Sequence, residues 1–181
     1  MASVLVPLAE GFEEIEAVSI IDVLRRAGVE VTTAYLFNPE VNGANGITIL
    51  ANNSINDVRS SDFDMIVLPG GIPGATNLRD DERVQRLLKE FDEQNKNIAA
   101  ICAAPIALEK AGVLKEKFTC YPSYETEIKS SSFSEDRVVK SGNILTSRGP
   151  GTALCFALEI VKTLVGVDSY NQLKDGLLAK C

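Results

Sequence analysis

The sequence predicts an α/β fold, a three-layer α/β/α sandwich with a mainly parallel sheet. Short apolar runs alternate along the chain with amphipathic segments of helical period, and this alternation is typical of a parallel sheet covered by helices on both faces. The first strand, helix and second strand form a βαβ unit, for which a right-handed crossover is expected. No internal repeat or low-complexity linker interrupts the 181 residues. We therefore predict a single domain over residues 1–181.

The elements follow from the period of the apolar residues and from the turn residues between them. Gly28 ends the first helix as a left-handed cap would, and Pro105 in a first turn predicts a helix start. Asn42-Gly43, Asn45-Gly46 and Ser141-Gly142 mark the turns of two hairpins. Strands are predicted over residues 3–9, 29–36, 47–51, 64–68, 97–101, 118–121, 137–140 and 143–147. Helices are predicted to begin at residue 13 and to cover residues 78–95, 103–110, 123–130, 152–164 and 170–178.

Composition excludes several classes of function. The net charge is −7 with acidic and basic residues interspersed, which argues against a nucleic-acid partner because such surfaces cluster Lys and Arg. No apolar segment approaches the length of a membrane span and the N-terminus does not resemble a signal peptide, so a cytoplasmic location is predicted. The chain contains no histidine. A Cys-His or Ser-His pair and a His-ligated metal site cannot be built from it, and neither a metal nor a cofactor is expected.

The four cysteines are Cys102, Cys120, Cys155 and Cys181. In a cytoplasmic chain without a CxxC pair we expect free thiols rather than disulfides or a structural zinc site. Cys155 is expected in the core and Cys181 at an exposed terminus. Cys120 is expected in the core, with a resolving thiol near the site as the alternative.

Cys102 is the candidate nucleophile. It follows the apolar strand 97–101 and precedes the helix that starts near Pro105, which is the position of the nucleophile elbow in an α/β sheet. The amides and dipole at the start of that helix are expected to favour the thiolate. The alternative is an inert buried cysteine.

Glu16 is the candidate acid. Glu13, Glu14 and Glu16 crowd a helix start, where acids are favoured by the dipole, and simple capping is the interpretation for Glu13 and Glu14. Glu16 lies one turn further, beside the apolar face, where a carboxylate needs a partner. If it faces Cys102, burial raises its pKa and lets it donate a hydrogen bond as a neutral acid.

Two further stretches are expected near Cys102 at the carboxyl edge of the sheet, because the parallel strands that precede them end at that edge. Gly70 and Gly71 follow a central strand and permit a close backbone approach, so the amides of Gly71 and Ala103 are predicted to form an oxyanion hole. The alternative is an ordinary strand-ending turn. Arg148 lies in a Gly-rich turn that lacks the lysine of a P-loop, so a role in bracing loops near the site is favoured over an anion nest.

The chain contains five motifs in order: GFEEIEA, LRRAGVEV, IVLPGG, AAICAAP and LTSRGPGTA. Together they resemble the DJ-one/ThiJ/PfpI superfamily from Val4 to about Leu178, above all its Parkinsonism-associated protein deglycase branch and its bacterial chaperone-like relatives. The resemblance implies a flavodoxin-like fold of the class I glutamine amidotransferase type and a homodimer with the first helix in its interface. It also matches Cys102 to the family's reactive, oxidisable cysteine, and Glu16 to the carboxyl that hydrogen-bonds it. Gly71 and Ala103 match the oxyanion-hole amides.

One position departs from the family pattern. Many relatives carry a histidine just before the proline that matches Pro122, and here Tyr121 stands there. Tyrosine can donate a hydrogen bond to a substrate but is no base near neutral pH.

Three functions follow from these residues and the resemblance. The leading one is a cofactor-independent glyoxalase or deglycase, a hydrolase or lyase acting on methylglyoxal or early glycation adducts in oxidative and carbonyl stress. The second is a redox-sensing chaperone whose Cys102 is oxidised to sulfinic acid and whose dimer surface binds client proteins. The third, an inactive structural descendant, is disfavoured by the intact pair of Glu16 and Cys102.

Overall fold

The computed structural model describes residues 1–181, and a seven-stranded sheet lies at its centre. The strands in chain order are β1 (Ser3–Leu8), β2 (Glu30–Tyr35), β3 (Glu40–Asn42), β4 (Thr48–Leu50), β5 (Asn53–Ser54), β6 (Met65–Leu68), β7 (Asn97–Ile101), β8 (Lys117–Phe118), β9 (Ser132–Phe133), β10 (Val138–Ser141) and β11 (Ile144–Ser147). The α-helices are α1 (Glu14–Arg26), α2 (Gly74–Asp80), α3 (Glu82–Glu93), α4 (Pro105–Ala111), α5 (Ala153–Leu164) and α6 (Val167–Gly176). The predicted alternation of strands and helices is confirmed.

The central sheet has the spatial order β10-β11-β7-β6-β1-β2-β5. Every neighbouring pair is parallel except β10 and β11, which form the predicted antiparallel hairpin. The other predicted hairpin, β3 with β4, and the short pair β8 with β9 lie outside this sheet. The predicted, mainly parallel sheet is therefore confirmed.

Helices cover both faces of the sheet. One apolar cluster of 28 buried residues packs α2, α3 and α4 against one face, and another of 24 packs α1 and α5 against the opposite face. The two clusters are similar in size because strands such as β6, with four consecutive buried residues, are apolar on both sides. The result is the predicted three-layer sandwich.

Three predicted elements are wrong in extent. The helix predicted over residues 78–95 is two helices, because Asp81 breaks it and caps α3 by accepting from the amides of Arg83 (2.9 Å) and Val84 (3.3 Å). The strand predicted over residues 118–121 is the two-residue β8, and the helix over residues 123–130 is one 3₁₀ turn, Tyr124–Glu127. The second of these segments follows Tyr121, whose amide donates to the carbonyl of Cys102 at the carboxyl edge of the sheet.

The expectation of four free thiols is wrong for two of them. Cys155 on α5 and Cys181 at the C-terminus form a disulfide, while Cys102 and Cys120 are free and buried. Cys155 is half-buried rather than a core residue, and the bond ties the end of the chain to α5. Cys120 lies in the cluster that packs α2 to α4, as the core interpretation predicts.

Among the six helices, none combines the length and the apolar character that a membrane crossing requires.

The register of the parallel strands brings four chain segments to one edge. Leu68 at the end of β6 lies beside Ala100 of β7, and Ile101 at the end of β7 lies beside Ser147 of β11. The segments that follow β1, β6, β7 and β11 therefore leave the sheet at the same edge. Each of them carries residues that the sequence singles out.

Candidate active site

Cys102 occupies a strained turn between β7 and α4. Its φ is +65°, in the left-handed region that a residue with a Cβ rarely adopts. Its amide donates to the carbonyl of Ser147 (3.0 Å) and its carbonyl accepts from the amide of Tyr121 (2.9 Å), so neighbouring segments hold it on both sides. The left-handed conformation costs about 1–2 kcal/mol, and such strain clusters at functional sites. The turn has the form of a nucleophile elbow, with Cys102 8% exposed.

Glu16 lies in the first turn of α1 and is completely buried. Its Oε2 accepts a hydrogen bond from the amide of Gly70 (2.8 Å), while its Oε1 has no partner. A buried carboxyl oxygen without a donor is costly in the charged form. Burial accordingly raises the pKa of Glu16 to about 7; the amide of Gly70 and the Cys102 thiol lower it and the charge of Glu13 raises it. Glu16 therefore exchanges a proton near neutral pH.

Gly70 brings the acid and the thiol together. A Cβ built on Gly70 would lie 2.5 Å from the Cβ of Cys102 and 2.7 Å from Oε2 of Glu16. No side chain fits in this space, so glycine is the residue that lets the two groups face each other across the end of β6.

The pKa of Cys102 is raised to about 12, first by burial and then by the charge of Glu16; hydrogen bonds from the amides of Gly71 and Ala103 act in the opposite direction. The expectation that the start of α4 makes this thiol a ready thiolate is therefore wrong. Two acids that share a buried space do not ionise together, and the second proton is held more tightly than the first. A Cys102 thiolate consequently requires a protonated Glu16.

The amides of Gly71 and Ala103 converge on the sulfur. Neither donates to a backbone carbonyl, so the sulfur is the acceptor that both amides face. Gly71 has φ +90°, and a Cβ there would lie 2.5 Å from the carbonyl oxygen of Gly11. The segment after β1 thus presses on Gly71 and fixes the direction of its amide.

Arg148 and Tyr121 border this centre without touching the acid. The guanidinium of Arg148 donates to the carbonyl of Glu135 (3.3 Å), lies 3.7 Å from the carboxylate of Glu135, and stands over the ring of Phe133. Arg148 thus contacts the segment around Glu135. Tyr121 is 46% exposed, and its backbone amide donates to the carbonyl of Cys102.

Two residues near this edge were missed by the sequence interpretation. Glu14, interpreted as a helix cap, accepts hydrogen bonds from Asn45 and Ile47 and so ties the β3–β4 hairpin to α1. Tyr124 was not singled out, although burial first and then the charge of Cys102 raise its pKa. The spacing Tyr121-x-x-Tyr124 was the available signal for the second.

Comparison with known proteins gives one consistent result. The model of the DJ-1/PfpI family matches residues 2–163. Protein dj-1beta of Drosophila melanogaster is 44% identical over 97% of this chain and 96% of its own length. The glutathione-independent glyoxalase DJR-1.2 of Caenorhabditis elegans is 37% identical over 95% of this chain and 92% of its own length. Protein DJ-1 homolog B of Arabidopsis thaliana is 42% identical over 97% of this chain, which spans only 41% of that longer protein.

Solved structures agree with the sequence relatives. The crystal structure of Drosophila melanogaster DJ-1beta superposes with a TM-score of 0.94 at 43% identity, covering 99% of each chain. The oxidized form of Toxoplasma gondii DJ-1 superposes with a TM-score of 0.96 at 39% identity, covering 100% of each chain. The flavodoxin-like fold implied by the sequence resemblance is confirmed.

Proposed function

This chain belongs to the DJ-1/PfpI family, and from this premise we propose that it is a cofactor-independent glyoxalase that converts small 2-oxoaldehydes to 2-hydroxy acids. One observation carries the proposal. A fully buried glutamate, Glu16, with an unpartnered carboxyl oxygen and a pKa of about 7, lies beside a cysteine in a strained elbow. The relative that is named a glutathione-independent glyoxalase supports the same activity.

The first step is addition of the thiol to the aldehyde. The Cys102 proton passes to Glu16, and the sulfur forms a bond to the aldehyde carbon of methylglyoxal while the C=O π pair moves to oxygen. The amides of Gly71 and Ala103, which already hydrogen-bond the sulfur and have no other acceptor, are the donors for this oxyanion. Protonation of the oxygen by Glu16 gives the hemithioacetal.

Glu16 then moves one proton between adjacent carbons. As a carboxylate it removes the proton from the carbon bonded to sulfur, which gives an enediolate. As an acid it returns that proton to the former ketone carbon, while the hemithioacetal hydroxyl proton passes to the former ketone oxygen. The product of this transfer is the thioester of lactate and Cys102. Water hydrolyses the thioester, so that methylglyoxal and water yield lactate and the free thiol. Attack at the carbinol carbon of an early glycation adduct uses the same two residues, and both reactions would serve carbonyl stress.

The test is methylglyoxal consumption with detection of lactate, by freshly reduced wild type, Cys102→Ser and Glu16→Gln. We expect both substitutions to abolish turnover, because one removes the nucleophile and the other the only group positioned to shuttle the proton. Turnover that persists in Glu16→Gln would contradict the mechanism. A circular-dichroism spectrum and a melting curve for each variant separate loss of chemistry from loss of fold.

A second candidate function is a redox sensor with chaperone activity. The relative of 39% identity whose structure is that of an oxidized form favours it. Peroxide would oxidise the thiolate to sulfenic acid with release of hydroxide, and a second peroxide would give sulfinic acid and water. The amides of Gly71 and Ala103 and a protonated Glu16 could donate to the new oxygens. No turnover of methylglyoxal, together with a gain of two oxygens on Cys102 alone, would favour this function.

We also propose that two copies associate through α1. Ile15 and Val18 are 58% and 48% exposed on this helix, and Leu50 of β4 is 69% exposed. A solvent-facing apolar patch of this kind is typical of an interface. Sedimentation of the wild type should give twice the mass of Val18→Glu.

A further inference from the structure

Two tyrosines stand on the segment that passes Cys102. The amide of Tyr121 donates to the carbonyl of Cys102 (2.9 Å), and the amide of Tyr124 donates to the carbonyl of Tyr121 (3.2 Å). Between them Ser123 has φ +81°, a left-handed conformation that is uncommon for serine. This tight turn starts the 3₁₀ helix at Tyr124 and keeps both aromatic residues at the edge of the sheet where Cys102 lies.

The ring of Tyr121 lies at the surface beside the site and is not part of the core. It is 46% exposed, and it lies against Gly149, where a Cβ would stand 3.0 Å from Cδ2 and 3.6 Å from Cε2. Gly149 follows Arg148 in the segment after β11, the strand beside β7. The ring therefore bridges the segments that flank Cys102. An aromatic face fixed at a site entrance but left open to solvent is a surface for an apolar ligand group.

Tyr124 lies on the same side of Cys102 as Tyr121. Its side chain is partly buried and packs against the apolar cluster that includes Cys120. Burial first, and then the charges of Cys102, Glu127 and Tyr121, raise its pKa. The phenol is thus within electrostatic reach of both the sulfur and the Tyr121 phenol.

The opposite side of Cys102 is closed. Glu16 is completely buried, and an atom added to Gly70 would collide with both Glu16 and Cys102. When the aldehyde carbon of a 2-oxoaldehyde bonds to the sulfur, its substituent on the ketone carbon cannot extend toward Glu16. It extends outward, to the entrance that the tyrosines border.

We propose that the substrates are 2-oxoaldehydes with an apolar, preferably aromatic, substituent on the ketone carbon, and that Tyr121 is the residue that selects them. This inference rests on the proposed function and adds the substrate class. A pair of aromatic rings contributes about 0.5–1.5 kcal/mol beyond buried area, which corresponds to a factor of about 2–10 in kcat/KM. Methylglyoxal carries only a methyl group at this position, so it cannot form an aromatic pair with Tyr121.

The experiment compares kcat/KM for phenylglyoxal and methylglyoxal in wild type, Tyr121→Ala, Tyr121→Phe and Phe37→Ala. The quantity of interest is the ratio of the two constants, because the intrinsic reactivity of each aldehyde cancels between variants. We expect Tyr121→Ala to lower the phenylglyoxal-to-methylglyoxal ratio about 2- to 10-fold and Tyr121→Phe, which keeps the ring, to preserve it. Phe37 is an exposed aromatic residue (77%) whose ring contacts Arg83, a residue that is not part of the site, and its variant should leave the ratio unchanged.

An unchanged ratio in Tyr121→Ala would overturn the inference while the glyoxalase activity stands. If wild type turns over neither aldehyde, the proposed function fails, and binding of the corresponding products decides the inference separately. Titration of Cys102→Ser protein with mandelate and with lactate should show tighter binding of mandelate. Adding Tyr121→Ala should reduce that preference by a similar factor, and an equal preference with and without the ring would refute the selection.

Discussion

Glu14 and Glu16 lie two residues apart in the first turn of α1, and both are buried, yet their pKa values shift in opposite directions. Glu14 accepts hydrogen bonds from the amide of Asn45 (2.6 Å), the side-chain amide of Asn45 (3.0 Å) and the amide of Ile47 (3.3 Å). Burial raises its pKa, but these bonds outweigh burial and hold the pKa below its usual value. Glu16 has one backbone donor, Gly70, its Oε1 has no partner, and burial raises its pKa to about 7.

The difference shows that the number of donors, and not burial alone, decides what a buried carboxyl group does. A carboxylate whose oxygens are saturated with donors stays ionised and fastens one element to another. A carboxyl group with an unpartnered oxygen is poised to gain or lose a proton, which is the property that acid-base chemistry needs. In this chain Glu14 fastens the β3–β4 hairpin, and Glu16 faces Cys102.

Replacing each acid with its neutral amide should separate the two roles most strongly. In Glu16→Gln we expect kcat/KM for methylglyoxal to fall at least about 100-fold, because the amide cannot shuttle a proton. In Glu14→Gln it should change less than about threefold, because no step uses this group. The measurement is steady-state kinetics on both variants at one pH. Equal losses would mean that Glu14 also contributes to the site and that the comparison fails.

Each carboxyl group lies against a glycine, Gly70 for Glu16 and Gly43 for Glu14. Replacing each glycine with alanine should affect activity at the first position and stability at the second. A Cβ on Gly70 would meet Cys102 and Glu16, whereas a Cβ on Gly43 would stand 2.7 Å from Cγ of Glu14 and closer still to its carboxyl group. We expect Gly70→Ala to lower kcat/KM about 100-fold by displacing the acid from the thiol. Gly43→Ala should retain activity and lose about 1–3 kcal/mol of unfolding free energy. Kinetics and urea denaturation of both variants provide the check, and an active Gly70→Ala protein would contradict the geometry.

The sequence could predict a residue's role only where the groups that determine this role lie close to it in the sequence. Cys102 and Glu16 were predicted because a strand-to-helix turn and a carboxylate beside an apolar helix face are visible in short stretches. The role of Glu14 was not, since its partners Asn45 and Ile47 lie 31 and 33 residues away on a hairpin. The raised pKa of Cys102 was missed for the same reason, because it depends on how deeply folding buries the thiol beside Glu16.

Two errors in the fold have similar physical origins. Asp81 caps α3 within a stretch whose apolar residues keep a continuous helical period. The period alone does not distinguish an aspartate on the surface of one long helix from an aspartate that caps a new helix. The Cys155–Cys181 disulfide joins residues 26 apart across α6, and only the packing of α6 on α5 brings them together. The period of the apolar residues and the positions of the turn residues predicted the three layers. They could not predict contacts between segments that are distant in the sequence.

The two acids should also give stability opposite dependences on pH. Glu16 has a folded pKa of about 7 against an ordinary 4.5, so the folded state binds its proton more tightly than the unfolded state. The resulting stabilisation is complete below about pH 4.5 and is lost as the pH rises to about 7, a change of about 3 kcal/mol. For Glu14, whose pKa is lowered, the stabilisation is present above about pH 4.5 and is lost as the pH falls.

Urea denaturation between pH 4 and 8 measures both dependences when wild type is compared with Glu16→Gln and Glu14→Gln. Subtracting the Glu16→Gln curve from that of wild type should leave a difference that decreases with rising pH. The Glu14→Gln subtraction should leave one that increases. Slopes of the same sign would show that burial, and not the number of donors, governs both groups.

The smallest expected effect is the stability of the two amide variants at one neutral pH. Glu14→Gln replaces one of the acceptor oxygens with an NH₂ group that faces amide donors, so about 1–3 kcal/mol of unfolding free energy should be lost. Glu16→Gln should be neutral or stabilising above pH 7, because it removes a buried charge while one oxygen can still accept from Gly70. The Glu14 loss should appear with faster hydrogen exchange at Asn45 and Ile47, the amides that lose their acceptor. A destabilised Glu16→Gln with unchanged exchange in the β3–β4 hairpin would reverse the assignment of anchor and reactive acid.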